Sequence, residues 1–185
     1  MATRPQVISQ AYLGQQIELH KNPDYGVASL SFAPIVKEVV QAFRVQSISD
    51  YGAGKKNLLR GLNGQGLSGF DYYPYDPAFP EYGAPRPADL VCCIDVLEHI
   101  EPEFVDAVLD DLRAITIKRG FYSIHSEPAL KVLTDGRNAH LIQKPSSWWL
   151  PQLCRHFEVR HLETAPGGFW VLVEPQRLAT VTQSI

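Results

Sequence analysis

Residues 45–56 read VQSISDYGAGKK, and the order of chemistry in this stretch decides the fold. Val45 to Asp50 is a strand candidate that runs straight into Gly52-Ala53-Gly54, and a helical pattern opens behind it from Lys55 to Leu62. Glycines let the backbone turn sharply and approach a ligand, and the start of a helix offers unpaired N–H groups. Such a strand–turn–helix unit suits a phosphate or a carboxylate. A dinucleotide-binding turn asks for a third glycine as GxGxxG. That position is Asn57 here, which disfavours a nicotinamide dehydrogenase. An acid, Asp50, ahead of a two-glycine turn fits a cofactor with an amino-acid tail. Asp50 would accept from its ammonium group while the turn Gly52, Ala53, Gly54 faces the rest.

Working outward, residues 88–94 (ADLVCCI) are almost continuously apolar, as in a central strand covered on both faces. Residues 68–75, 120–125, 157–162 and 169–174 are further strand candidates. Helical spacing of apolar residues runs through 29–43 and 102–115, a helix is expected over 145–156, and a short one lies within 5–22. Prolines 74, 77, 80, 85 and 87 make the stretch up to residue 88 a loop. Strand alternating with helix predicts an α/β sandwich with a mostly parallel sheet. The last two strands, joined through Pro166-Gly167-Gly168, form its antiparallel edge.

The chain has 185 residues, 45% of them hydrophobic, enough for one domain with a real core. A single domain over 1–185 is expected, with residues 1–44 as a helical cap and 45–176 as the core. The formal net charge of −3 implies no broad field for nucleic acid. It disfavours nucleic acid as a partner while leaving it open as a substrate through a local basic patch. Three cysteines, two of them vicinal, fit small buried residues in a reducing compartment. No apolar run behind basic residues suggests a leader, and nowhere do roughly 18 apolar residues follow one another. A soluble, cytoplasmic protein with no membrane span is the expectation; the oligomeric state is not readable.

Two more clusters fall beyond strand ends, where open α/β sheets bind ligands. Asp76 lies about 20 residues past the glycine turn, the distance at which an acid accepts from ribose hydroxyls; Asp71 is the rival if the strand ends earlier. Asp95-Val96-Leu97-Glu98-His99-Ile100 follows the buried strand directly. It places Asp95, Glu98 and His99 at the active edge, with Val96 and Leu97 lining the ligand.

In this order the three pieces resemble the class I S-adenosylmethionine-dependent methyltransferases. The segment 88–100, ADLVCCIDVLEHI, resembles the fourth-strand motif of their small-molecule and ubiquinone-pathway members. The segments YDPA (75–78) and GRNAH (136–140) resemble those of short bacterial and phage proteins of this type. The resemblance covers roughly residues 25–175 and implies a Rossmann-like three-layer sandwich. It places Asp50, Gly52, Ala53 and Gly54 at the methionine end, Asp76 at the ribose, and Asp95 with Val96 near the reactive sulfur. Tyr25 and Gly26 would lie where the cofactor is closed over. Two departures stand out: the loop between Asp76 and Asp89 is too short for the usual helix and third strand, and Lys55 stands where a small residue is frequent.

The resemblance implies S-adenosylmethionine as cofactor and methyl transfer to an unidentified acceptor, a small molecule at oxygen or nitrogen. The alternative is a non-catalytic cofactor- or nucleotide-binding accessory protein. Methyl transfer is an in-line displacement helped by a base. His99 is the first candidate, with Glu98 beside it and His140 and His125 as others. Asp95, Glu98, His99 and His140 also resemble the ligand set of certain metal-dependent O-methyltransferases, which would add a divalent ion. Arg137 to His140 and Ser147-Trp148-Trp149 are expected to border the acceptor, with one tryptophan packing the last helix. The Asp/Asn-Pro-Pro-aromatic tetrapeptide of DNA amino-methyltransferases is absent.

Overall fold

The computed structural model describes residues 4–176. Helix α1 (Gln10–His20) starts where Ser9 caps it, the Ser9 hydroxyl accepting from the Tyr12 N–H. Helix α2 (Ser29–Ala42) buries Ala33, Val36, Val39 and Val40 at helical spacing. Strand β1 (Ser47–Tyr51) leads into the glycine turn. Helix α3 (Asn57–Gly64) opens at Asn57, two residues later than the pattern suggests, because Lys56 takes a left-handed conformation with φ 58°. Strand β2 (Asp71–Tyr75) begins after Gly69, whose φ of 83° breaks any earlier extension.

Between Asp76 and Ala88 the chain makes only a 3₁₀ turn, Pro80–Tyr82, so β2 is the sheet edge and no further strand follows it there. Strand β3 (Ala88–Ile94) is buried at all seven positions. A 3₁₀ turn over Pro102–Phe104 leads into helix α4 (Val105–Ile115). The chain then passes without a loop into strand β4 (Thr116–His125), longer at its start than the sequence suggests. Helix α5 (Ser146–Leu153) has Pro145 just outside its first turn. Strands β5 (Phe157–Ala165) and β6 (Gly168–Pro175) form the closing hairpin.

The sheet order is β2-β1-β3-β4-β6-β5. The first four strands are parallel and β6 runs antiparallel between β4 and β5. This is the Rossmann-like α/β sandwich expected. Leu90 and Cys92 pack with α2 and α3 on one face, while Val91 and Cys93 pack with α4 and α5 on the other. The vicinal cysteines thus part to opposite faces, as strand geometry demands. No helix among the described residues is long and apolar enough to cross a membrane.

The parallel strands all point their carboxyl ends at one edge. The turns after β1, β2 and β3 therefore meet, and α1 crosses above them. At the far side the β6 hairpin is packed without slack: a Cβ on Gly168 would lie 2.3 Å from the Ile124 carbonyl oxygen. Backbone cannot yield as a side-chain tip can. Gly168→Ala should cost about 2–3 kcal/mol and lower Tm by roughly 5–10 °C. Thermal unfolding checks this, and an unchanged Tm would contradict the packing.

Candidate active site

The glycine turn is tied to the end of the neighbouring strand. The Gly52 and Ala53 N–H groups both donate to the Tyr75 carbonyl, at 2.8 and 2.9 Å, and the Gly54 N–H donates to Asp76 Oδ2 at 2.9 Å. Gly52 has φ 79°, and a Cβ there would stand 2.3 Å from Val96 Cγ2. Only glycine permits both that conformation and that approach. Asp76 sits just past the end of β2, its Oδ1 accepting from the Ala78 N–H at 2.8 Å, and burial pushes its carboxyl up. Asp71 opens β2 at the opposite end of the strand, opposite Ser47. Asp95 follows β3 with a left-handed φ of 59°, its N–H held by Ser123. Strain of this kind is kept where the surroundings enforce it, and sites often hold it.

These turns floor an open cleft of about 120 Å³. Gly52, Ala53, Gly54, Asp76, Asp95, Val96 and His99 all line it. Asp50, Glu98 and His140 do not. Asp50 is buried in β1, where the Tyr72 hydroxyl donates to it and burial pushes its carboxyl up to about 7. Alternation along the strand turns it away from the cleft, and Tyr51 lines the wall instead. Glu98 is fully buried and accepts from the His125 N–H at 2.5 Å. Burial first, and Asp95 beside it second, push its carboxyl well above the usual range. It braces the floor from below.

His99 lines the cleft with one ring nitrogen engaged. Its Nδ1 lies 2.8 Å from the Ala139 carbonyl and must donate, which leaves Nε2 with a free lone pair. Burial, opposed by Asp95, pushes this imidazole down to about 4. His140 repeats the device, with Nδ1 2.6 Å from the Glu127 carbonyl. Asn138 organises the segment: its amide oxygen accepts from the Ala129 and His140 N–H groups, both at 2.9 Å, and its amide nitrogen donates to the Ala129 carbonyl. The rings of His99 and His140 meet edge-on at 4.8 Å, and one ligand atom each from Asp95, His99 and His140 lie within 4.8 Å of one another.

Three expected neighbours are elsewhere. Trp148 and Trp149 pack α5 on the core, with Trp149 fully buried, and neither lines the cleft. Arg137 lies over the ring of Tyr12 and pairs with Asp135. Conversely, a short helix is expected at α1, but its cleft-lining side chains Tyr12, Gln16 and His20 are not singled out by the sequence. His20 Nε2 is 3.9 Å from Asp76 Oδ2. Lys55 Nζ donates to the carbonyls of Asn22 and Tyr25 at 2.6 and 2.8 Å, and the Asn57 amide donates to the Gly26 carbonyl at 2.8 Å. These two residues strap the loop after α1 to the glycine turn.

No protein-family profile matches the sequence, and no curated protein sequence does. Solved structures do match in fold. The 1,6-didemethyltoxoflavin-N1-methyltransferase of Burkholderia thailandensis, solved with 1,6-didemethyltoxoflavin and S-adenosylhomocysteine, superposes with TM-score 0.62 at 15% identity over 95% of this chain and 94% of that one. The mitomycin 7-O-methyltransferase MmcR gives 0.57 at 16% identity over 80% of this chain and 54% of that one. An rRNA methylase from Escherichia coli gives 0.51 at 15% identity over 79% and 64%. The chain has the fold of the class I S-adenosylmethionine-dependent methyltransferases.

The neutral His99 makes a stability prediction. An unfolded chain protonates this imidazole near 6.5, while the folded protein resists until about 4. Its contribution to stability is therefore full above the unfolded value and is lost as pH falls through that window. Denaturant unfolding over the window should cost the wild type more stability than His99→Asn. Equal losses would show that the imidazole is not held neutral.

Proposed function

We propose that this protein transfers the methyl group of S-adenosylmethionine to the oxygen or nitrogen of a small-molecule acceptor. The observation that carries this reading is the cleft over the Gly52–Gly54 turn, flanked by Asp76 on one side and Asp95 on the other. Three glycine-turn residues leave room for the methionine tail. Asp76, already accepting from two backbone N–H groups, keeps lone pairs for the ribose hydroxyls. Val96 and Ile94 offer apolar surface to the adenosine side, and Asp95 lies toward the sulfonium. A carboxylate there favours the cation. Asp50, which accepts from the Tyr72 hydroxyl, supports the turn from within β1. Lys55 and Asn57 hold the loop after α1 to the glycine turn, so α1 lies over the tail.

In the reaction the acceptor's lone pair attacks the methyl carbon in line with the carbon–sulfur bond. That bond breaks and sulfur leaves as a neutral thioether. His99 Nε2 faces the cleft, unprotonated at neutral pH, and takes the acceptor's proton. His140 and Glu98 position this edge from behind.

Titration calorimetry with S-adenosylhomocysteine should show one site of micromolar affinity. Gly52→Ala should weaken it by roughly tenfold or more, since the new methyl group would drive into Val96. A featureless titration at millimolar concentration would overturn the reading. Radiolabelled methyl transfer across acceptor classes then finds the substrate.

A second reading has its own observation: both imidazoles donate Nδ1–H to backbone carbonyls and keep Nε2 for another partner, beside Asp95. Ligating histidines are held in this way. Asp95, His99 and His140 would hold a divalent ion, and bound there it would lower the pKa of an acceptor hydroxyl. Cobalt(II) added to the chelator-treated protein should give visible d–d absorption that His140→Ala abolishes. No absorption with the wild type leaves His99 as the base unaided.

A further inference from the structure

Helix α1 carries a stripe of polar side chains at four-residue steps, Tyr12, Gln16 and His20, all on the cleft wall. Each holds a buried polar atom without a hydrogen-bond partner: Tyr12 Oη, Gln16 Nε2 and His20 Nδ1. The remaining atoms of this kind among the described residues belong to Ser49, Glu98, Arg119 and Trp149, none of which lines the cleft. Buried polar groups in native proteins find partners, and leaving one unmet costs on the order of 1–3 kcal/mol. Three on one helix face, over one cleft, call for a ligand that supplies them.

The stripe spans both halves of the cleft, roughly 12 Å at helical rise. His20 is at the cofactor end. Its Cε1 would touch a Cβ on Gly54 at 3.0 Å, and Asp76 is its charged neighbour, with Lys55 close by. Tyr12 is at the other end, packed on Leu133 and Ala139, next to the loop that carries His140. Gln16 is between them. Its Oε1 already accepts from the Tyr25 hydroxyl at 3.1 Å, which turns the amide donor Nε2 inward. Nε2 lies near the Tyr12 hydroxyl without closing a hydrogen bond of normal geometry.

Charge narrows the ligand. No lysine or arginine is among the residues lining the cleft, whose carboxylates are Asp76 and Asp95. Arg137 covers the ring of Tyr12 with its centroid 5.6 Å away, but its guanidinium is tied to Asp135. Glu101 is committed to Ser9. An anionic acceptor, or a phosphate backbone, would find no counter-charge. The two cleft carboxylates are matched by the sulfonium and the ribose, so a cationic acceptor finds none to spare. Val7, Ile8 and Ile100 with the Tyr12 and Tyr25 rings give the acceptor half flat apolar walls.

We propose that Tyr12 and Gln16 are the acceptor-recognising edge of the cleft, and that the acceptor is a neutral, planar aromatic compound. It presents a carbonyl or ring nitrogen to Gln16 Nε2 and the group to be methylated to His99. This rests on the methyltransferase reading and adds to it the substrate class.

Three probes of one shape and three charges test it: 3-hydroxybenzamide, 3-hydroxybenzoate and 3-hydroxybenzylamine, each titrated into protein saturated with sinefungin, a non-transferring analogue that carries an ammonium where the cofactor has its sulfonium, and followed by ligand-observed NMR. The neutral amide should bind about tenfold more tightly than either ion. Gln16→Leu should weaken the amide by a similar factor, and Tyr12→Phe by less. Both variants should keep S-adenosylhomocysteine affinity within about twofold, which also reports that they fold. If Gln16→Leu fails to fold, the conservative Tyr12→Phe carries the test alone. Preference for either ion, unchanged amide binding in both variants, or loss of S-adenosylhomocysteine binding in Tyr12→Phe overturns the proposal. Failure of the wild type to bind S-adenosylhomocysteine removes both readings, whereas cofactor binding without amide binding removes this one alone.

Discussion

The arrangement depends on one crowded contact, the approach of the Gly52 backbone to Val96. The turn after β1 and the turn after β3 come so close that no side chain fits between them. The Tyr75 carbonyl, taking two N–H groups from the first turn, draws in the end of β2 as well. Three strand ends are thereby fixed to one another by backbone. Asp76 and Asp95 then face each other across the cleft with little freedom, which is the preorganisation a transfer reaction needs.

That geometry gathers carboxyls in a small volume, and the fold separates their states by burial. Asp50, Asp76 and Glu98 are all pushed upward, mainly by desolvation. Glu98, deepest and beside Asp95, has its carboxyl pushed well above the usual range, by burial first and by Asp95 second. Asp76 is eased by two backbone N–H groups and by His20. Asp95 alone among these acids combines a place on the wall with a strained backbone. With two carboxylates on its walls and no lysine or arginine, the cleft has a field that favours a cationic ligand before any specific contact is counted.

The sheet was legible in the sequence because its signals are local. The apolar run over 88–94 can only be a doubly covered strand, and the prolines after Tyr75 leave no space for another. Gly52, Gly54, Asp76, Asp95, Val96 and His99 could be placed because they follow strand ends directly. Asp50 stands apart from them: a strand sends alternate side chains to opposite faces, and its hydroxyl partner Tyr72 comes from a neighbouring strand. Trp148 and Trp149 likewise look like binding residues until α5 docks. Tyr12, Gln16 and His20 were invisible because a weakly amphipathic helix does not announce which larger element it will cover.

Lys55 and Asn57 show how far local departures can be read. Each breaks the expected pattern of the turn, Lys55 where a small residue is usual and Asn57 where a dinucleotide fold has glycine. Both turn out to hold carbonyls of the loop that follows α1. A carbonyl bonded to an ammonium or amide on the helix start cannot drift without leaving a donor unmet, so the loop after α1 is registered on the glycine turn. The register then carries through α1: with Tyr25 and Gly26 anchored, His20 falls against Gly54 and Asp76, and Gln16, tied to Tyr25, falls one turn further along the cleft. The two anomalous side chains in the turn thus set the position of the helix face that lines the cleft.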